Sequence, residues 1–128
     1  MKKLIFLFLS VMMLTACGQD KENDQGAMYV NITSDEAKQI MDSEEGYIIL
    51  DVRTKDEYDQ GHIPGAILIP DTEIKAKAEE VLTDKDQLIL VYCRSGRRSK
   101  LAAEALVGLG YTNIKEFGGI IDWPYEVE

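Results

Sequence analysis

The sequence predicts an α/β domain with a central, mainly parallel β-sheet and helices on both faces. Strand-like and helix-like segments alternate along the chain from about residue 28 onward. Two of the strand candidates, residues 47–52 and 88–92, are almost continuous apolar runs. Such runs are typical of parallel strands that are buried on both faces, and the alternation favours strands joined by helical crossovers.

The strand candidates are short apolar segments bounded by polar residues, glycine or proline. Pro70 closes the third candidate, and a pair of glycines follows the last one. The sheet is therefore expected to have four or five strands, drawn in chain order from residues 28–32, 47–52, 66–69, 88–92 and 114–117.

The predicted helices begin at capping signals or end at glycine. Two of them start with the T-x-x-E spacing of a capping box and run to about residue 43 and to Gly61; the boxes are Thr33–Glu36 and Thr54–Glu57. Residues 73–82 form a third predicted helix. The fourth covers residues 99–109, with Gly110 suited to its C′ position and these side chains facing the core: Leu101, Ala102, Ala105, Leu106 and Leu109.

Composition limits the kinds of partner. The chain has 128 residues, with 14 Lys or Arg against 23 Asp or Glu and a net charge of −9. This acidic balance argues against nucleic acid as a partner, because nucleic-acid binding favours a basic surface. Two Cys and one His exclude a disulfide framework, and no metal-ligand spacing is present. We therefore expect no metal and no cofactor.

The first 16 residues have the pattern of a signal peptide rather than of a folded element. A basic start precedes an apolar run, residues 4–14, that is short of the roughly 18–20 residues a bilayer span requires. The run ends in Leu14-Thr15-Ala16-Cys17, which resembles the lipobox of bacterial lipoproteins. An ordinary signal peptide or a buried helix is the alternative.

That resemblance implies an exported chain whose Cys17 is lipidated and anchors it to the cell membrane, with the domain on the extracytoplasmic side. Residues 17–27 then form the lipidated cysteine and a polar tether, and residues 28–128 form the domain. The acidic domain is repelled by anionic lipid, so we expect the acyl chain rather than charge to hold it there.

The chemistry is expected where the strand at residues 88–92 meets the following helix. Cys93 directly follows this strand, at the edge where α/β sheets bind ligands. A helix N-terminus and the cations Arg94, Arg97 and Arg98 lower the pKa of a thiol placed there. Gly96 allows the backbone N–H groups to curl into an anion-binding nest. The alternative is a buried strand-end cysteine beside solvated arginines.

Three motifs in order resemble the rhodanese (thiosulfate sulfurtransferase-like) family across residues 28–128. They are Asp51 to Tyr58 followed by Gly61-His62-Ile63-Pro64-Gly65-Ala66, the loop Cys93-Arg94-Ser95-Gly96-Arg97-Arg98-Ser99, and Gly118-Gly119-Ile120-Ile121-Asp122-Trp123. The resemblance implies a single-domain rhodanese-like fold. It also implies a catalytic Cys93 that carries a persulfide cradled by the loop from Arg94 to Ser99.

The implied activity moves sulfur from a small sulfur-containing anion such as thiosulfate to cyanide or a thiol. We expect a monomer and ping-pong kinetics. The alternative is a non-catalytic, membrane-tethered rhodanese-like binding module. Phosphatase relatives of the fold have one more residue in the loop than the Cys-x4-Arg spacing of Cys93 and Arg98, so phosphate-ester hydrolysis is disfavoured.

Four further residues receive structural interpretations. Asp51 and Arg53 are expected to form an ion pair or a cap to backbone N–H groups. His62 is expected to make a structural hydrogen bond within its Gly-His-Ile-Pro-Gly turn. Trp123 is expected to fill the core.

Overall fold

Parallel strands form a single sheet in the computed structural model, which describes residues 28–128. The sheet order is β1-β5-β4-β2-β3, and every pairing between neighbours is parallel. The strands are β1 (Val30–Asn31), β2 (Ile48–Asp51), β3 (Ile67–Leu68), β4 (Ile89–Cys93) and β5 (Ile114–Gly119). The predicted mainly parallel sheet is confirmed, with five strands among the described residues.

Helices connect the strands and cover both faces of the sheet. They are α1 (Ser34–Ser43), α2 (Lys55–Gln60), α3 (Ile74–Val81) and α4 (Arg97–Gly108), with short 3-10 helices at Asp71–Glu73 and Ile120–Asp122. None of the helices in residues 28–128 combines the length and apolarity that a membrane span requires. The predicted signal peptide, the lipidated Cys17 and the tether lie outside the described residues and stay predictions.

Two hydrophobic clusters lie on opposite faces of the central strands. One contains residues of α3 and α4, such as Ile74 and Leu106, packed on Leu50 and Val91. The other contains Ala37 of α1 together with aromatic side chains and alternate residues of the same strands: Ile49, Leu90, Tyr92, Phe117 and Trp123. Successive strand residues point to opposite faces, so the apolar runs of β2 and β4 supply both clusters.

The local start and stop signals of the helices behave as predicted. Both capping boxes are present, since Thr33 and Thr54 each accept from the N3 backbone and each N3 glutamate accepts from the cap backbone. Gly110 follows the C-cap of α4 with φ of 99°, as expected of a C′ glycine.

Two expectations about α4 are wrong. The helix begins at Arg97 rather than at residue 99. Gly96 takes the N-cap position in a left-handed conformation, so the loop ends there and the helix follows at once. Leu101 is 47% exposed rather than inward-facing. The stripe that contacts the sheet has the spacing i, i+3, i+4, i+7 and consists of Ser99, Ala102, Ala103 and Leu106.

Candidate active site

The site lies at the carboxyl end of β4, between its neighbours β2 and β5. Cys93 is the last residue of β4 rather than the first residue after it, and residues 94–96 lead directly into α4. This is the edge at which parallel α/β sheets bind ligands. The fold therefore brings a thiol, a tight loop and a helix N-terminus together.

Hydrogen-bonding groups surround the sulfur of the fully buried Cys93. The Gly96 N–H donates to Sγ at 3.0 Å, and Ser99 Oγ lies 3.4 Å from the same atom. Burial opposes ionisation of the thiol. The Ser99 hydroxyl and the backbone N–H groups of Ser99, Gly96 and Ser95 outweigh it, so that the pKa of Cys93 is below its ordinary value. The predicted lowering of the thiol pKa thus comes chiefly from hydrogen bonds.

Two glycines allow the loop to close tightly on the sulfur. Gly96 has φ of 106°, in the left-handed region that glycine adopts at little steric cost. Gly119 of β5 pairs with Cys93. A Cβ on Gly119 would overlap the carbonyl group of Arg94 and come within 2.5 Å of Ser95 Cα. The end of β5 therefore packs directly against the loop, and no side chain fits between them.

The three loop arginines have different surroundings. Arg94 and Arg97 are exposed. Arg98 is half-buried and forms a bidentate ion pair with Glu57 of α2, with Nη1–Oε1 and Nη2–Oε2 distances of 2.8 and 2.9 Å. Arg94 and Arg97 are thus the loop cations open to solvent. Catalysis by Cys93 and substrate binding by the six residues from Arg94 to Ser99 stay predictions.

The pair with Arg98 holds Glu57 ionised. The Arg98 hydrogen bonds lower the pKa of Glu57 to about 2, against the opposing effect of burial and with help from Thr54. The same carboxylate accepts from the Thr54 N–H at 3.0 Å in the capping box of α2. Glu57 therefore connects the first turn of α2 to the first turn of α4 through hydrogen bonds.

Glu57→Gln is expected to have a lower free energy of unfolding than the wild type at neutral pH, and this difference should shrink as the pH falls. The folded-state pKa of about 2 lies below the ordinary value of 4.5. The ion pair therefore contributes stability above pH 4.5 and loses it as the pH falls towards 2. Urea midpoints of the wild type and the variant should differ at neutral pH and converge in acid. A gap that stays constant down to the lowest pH at which both chains fold would contradict this. Glu36→Gln, in the capping box of α1, is the matched control.

A buried ion pair supports the strand ends beside the loop. Arg53 Nη2 lies 2.7 Å from Asp51 Oδ2, and the Arg53 backbone N–H donates to Asp51 Oδ1 at 2.9 Å. Both predicted forms of this contact, ion pair and backbone cap, are confirmed. Tyr92 donates its hydroxyl to Asp51 Oδ2 at 2.6 Å and accepts from the Ile63 N–H at 3.1 Å. Burial, and then Asp51, raise the pKa of Tyr92, so the hydroxyl stays protonated.

Tyr92→Phe is expected to destabilise the domain by about 2–3 kcal/mol, because it removes a donor from a buried carboxylate and leaves the Ile63 N–H unpaired. Tyr111→Phe is the matched control. Its buried hydroxyl donates to one carbonyl, that of Leu82, and its loss should cost about 1 kcal/mol. Urea unfolding measures both. Equal losses in the two variants would show that the Asp51 contact adds nothing.

His62 and Trp123 have structural roles, as predicted. His62 Nδ1 lies 2.9 Å from the Tyr58 carbonyl oxygen, and its ring stacks on the Tyr58 ring. Trp123 is 9% exposed, packs against Phe117 and donates its indole N–H to the Glu126 carbonyl at 3.1 Å.

Glu116 of β5 belongs to the site but is not among the predicted residues. It is 2% exposed, and its Oε2 accepts from the Ser99 hydroxyl and, at 2.9 Å, from the Gly118 N–H. Asn31 Nδ2 donates to its Oε1 at 2.6 Å. One sequence signal points to it: alternation with Ile114 places an acidic residue on an inward-facing position of a predicted strand.

A groove of about 410 Å³ opens beside the loop. Its lining includes the basic residues Arg53 and Arg94 and the apolar residues Ile120, Ile121 and Trp123. A thiol of lowered pKa beside amide donors and cations is suited to nucleophilic attack on an anionic substrate.

Fold and site together define an α/β domain with a buried cysteine of lowered pKa at the end of a parallel strand, next to a tight loop and a helix N-terminus. The sequence profile of the rhodanese-like domain family matches residues 33–124. The chain belongs to this family, and the resemblance carried by its three motifs is confirmed.

Similar proteins include named sulfur-transfer proteins. The putative sulfur carrier protein YrkF of Bacillus subtilis is 35% identical over 112 residues, 87% of this chain and 60% of YrkF. The thiosulfate sulfurtransferase PspE of Escherichia coli is 41% identical over 73 residues, 57% of this chain and 70% of PspE. The chain thus spans less than two thirds of YrkF.

A solved structure has the same fold. A rhodanese-related protein from Thermoplasma volcanium is 31% identical with a TM-score of 0.68, and the match covers 78% of this chain and 98% of that one. Together with the named sulfurtransferases, this similarity supports sulfur transfer as the general class of chemistry.

Proposed function

We propose that the protein is a rhodanese-type sulfurtransferase that moves a sulfane sulfur from a donor such as thiosulfate to cyanide or a thiol through a persulfide on Cys93. The observation that carries the proposal is the sulfur of Cys93 at the centre of its loop, with Gly96 N–H donating at 3.0 Å and a lowered pKa. The named activity of PspE supports thiosulfate as the donor class.

In the first half-reaction the Cys93 thiolate attacks the outer sulfur of thiosulfate. A new S–S bond forms, the S–S bond of the donor breaks, and sulfite leaves with the electron pair. The incoming donor is a dianion, so Arg94 and Arg97, exposed beside the loop, offset its repulsion by the thiolate. These cations matter because the chain as a whole has a net charge of −9.

In the second half-reaction the acceptor attacks the outer sulfur of the persulfide. Cyanide leaves as thiocyanate, or a thiolate leaves as a persulfide, and Cys93 returns as a thiolate. The loop N–H groups hold negative charge on the Cys93 sulfur in both half-reactions. A covalent intermediate between two substrates gives ping-pong kinetics.

The test uses residues 18–128, reduced before each measurement. Incubation with thiosulfate should add the mass of one sulfur atom to the chain, and later addition of cyanide should remove it and form thiocyanate. Initial rates at several fixed cyanide concentrations should give parallel double-reciprocal lines. If the folded, reduced chain showed neither added sulfur nor thiocyanate, the proposal would fail and a non-catalytic binding module would replace it.

The same proposal includes membrane anchoring through a lipid on Cys17, supported by the lipobox-like residues 14–17. Cells expressing the full chain and fed labelled palmitate should incorporate the label into it and retain it in the membrane fraction. Cys17→Ala should lose both. Equal membrane retention of the unlabelled variant would contradict anchoring by the lipid.

A further inference from the structure

The buried carboxylate of Glu116 is connected to Cys93 by one side chain. Ser99 Oγ lies 3.4 Å from Cys93 Sγ and donates to Glu116 Oε2. Ser99 is fully buried, as is Cys93, and Glu116 is 2% exposed. A thiol, a hydroxyl and a carboxylate thus form a continuous chain of hydrogen-bonding groups below the loop. The proposed sulfur-transfer steps give no role to the hydrogen bond between Ser99 and Glu116.

The Ser99 hydroxyl has a single proton to donate. Its possible acceptors are the Gly96 carbonyl at 3.1 Å, the Gly118 carbonyl at 3.4 Å, the sulfur and the Glu116 carboxylate. A carboxylate is the strongest acceptor of these, so the proton lies on the Glu116 side and Ser99 Oγ accepts from the Cys93 S–H. This arrangement stabilises the thiol.

A Cys93 thiolate requires the opposite arrangement. Ser99 then donates to the sulfur, and this is the hydrogen bond that helps to lower the pKa of Cys93. Glu116 keeps its hydrogen bond to Ser99 only if it carries a proton itself and donates it. The thiolate is therefore compatible with a protonated Glu116, and the thiol with an ionised one.

We propose that Glu116 is a positioning residue that shares one proton with Cys93 through Ser99 and so sets the pH at which the sulfur is a thiolate. The proton of the Cys93 S–H passes to Ser99 Oγ while the Ser99 hydroxyl proton passes to Glu116 Oε2. The sulfur keeps the electron pair, one negative charge moves from carboxylate to sulfur, and nothing is oxidised. The inference rests on the proposed function.

Other charged or titratable groups near the loop, in the part of the chain that the structure describes, have partners of their own and no hydrogen bond to Sγ. Glu57 is held by Arg98 with a pKa of about 2. Guanidinium groups have no acceptor. His62 is bound to the Tyr58 carbonyl in its turn. Within residues 28–128, Glu116 is the carboxylate that hydrogen bonds reach from Sγ.

Three elements place charged or titratable groups against Glu116. From α4, Lys100 Nζ lies 3.7 Å from Oε1, with its side chain 51% exposed. Ahead of β1, Tyr29 is close enough for its pKa to be raised by burial, then by Glu104 and Glu116. Cys93 of β4 is connected to Glu116 through Ser99.

The test follows the alkylation rate of Cys93 by iodoacetamide against pH, a readout that needs no sulfur transfer. Two groups that share a proton ionise in two steps, so the wild-type profile should rise twice. Glu116→Gln should give a single step that is complete about one pH unit below the upper wild-type step. At pH values between these two steps the variant should contain about tenfold more thiolate than the wild type. The matched control is Glu104→Gln, an exposed position on α4, the helix that carries Ser99, and it should keep the wild-type profile.

Two results of the alkylation experiment would overturn the proposal. A folded Glu116→Gln chain with the wild-type profile would show that Glu116 is structural. The second result comes from a double variant. If Glu116→Gln changed the pH profile of Ser99→Ala as much as it changes that of the wild type, the carboxylate would act through space and not through Ser99.

If Glu116→Gln does not fold, a second measurement tests the proposal in the wild-type chain. In wild-type chain labelled with ¹³C at its glutamate carboxyls, the Glu116 signal should move across the pH range in which the thiol ionises. Alkylation of Cys93 should abolish that movement while the Glu104 signal is unchanged. A Glu116 signal that ignores alkylation would overturn the proposal. Because neither readout uses a sulfur donor, failure here is distinguishable from failure of the proposed function.

Discussion

Thiocyanate formation is expected to disappear in Cys93→Ala, with a loss of kcat/KM of at least about 10³-fold. The variant has no atom on which the transferred sulfur can be held, and the sequence has no other cysteine after residue 17. The side chain lost is small, so the unfolding free energy should fall by only about 1 kcal/mol. Steady-state rates with thiosulfate and cyanide, together with thermal melting, measure both effects.

Cys93→Ser separates nucleophilicity from packing. Serine preserves the size and the hydrogen bonding of the site, but its hydroxyl does not ionise in this pH range, so it should be as inactive as alanine. Thiosulfate should add no sulfur to either variant in an intact-mass measurement. Turnover near the wild-type rate in either one would place the reaction at another group and contradict the proposed function.

Gly119→Ala is expected to reduce turnover by about 10²-fold or more, although Gly119 offers no side chain to the substrate. Its new Cβ would overlap the carbonyl group of Arg94. The loop or the end of β5 must then shift, and displacement of catalytic groups by about 1 Å costs about 10²-fold. Overpacking should also lower stability by about 1–3 kcal/mol. Steady-state kinetics and urea unfolding measure the two effects.

Gly108→Ala in α4 is the control for this prediction. A Cβ at Gly108 meets nothing within 4 Å, and alanine favours a helix over glycine by about 1 kcal/mol. This variant should be as active as the wild type and slightly more stable. If Gly119→Ala behaved in the same way, β5 would not constrain the loop.

Features that depend on a few neighbouring residues are predictable from the sequence. The capping boxes at Thr33 and Thr54 are local hydrogen-bond patterns, and both form. Cys93, at the end of an apolar run and before a glycine, is placed at the sheet edge because parallel strands end there together. The Asp51–Arg53 pair is also local, since the two residues are separated by a single position.

Contacts between distant segments are not predictable in this way. Glu57 and Arg98 are 41 residues apart, and Ser99 and Glu116 are 17 apart on different elements. Each pair forms only because the strand order β1-β5-β4-β2-β3 brings the segments together. The sequence pattern identifies Arg98 as a cation near the thiol, but its partner follows from the three-dimensional arrangement of α2 and α4.

Because β5 packs directly on the loop, the strand and the loop together limit the size of the group that can bind there. Between Gly119 and the Arg94 carbonyl group there is too little space even for one added Cβ. We therefore expect a longer loop to require a shift of the end of β5, and a shift of β5 to change the shape of the loop. A change in the size of the bound group is then expected to require coupled changes in two segments that are distant in the sequence.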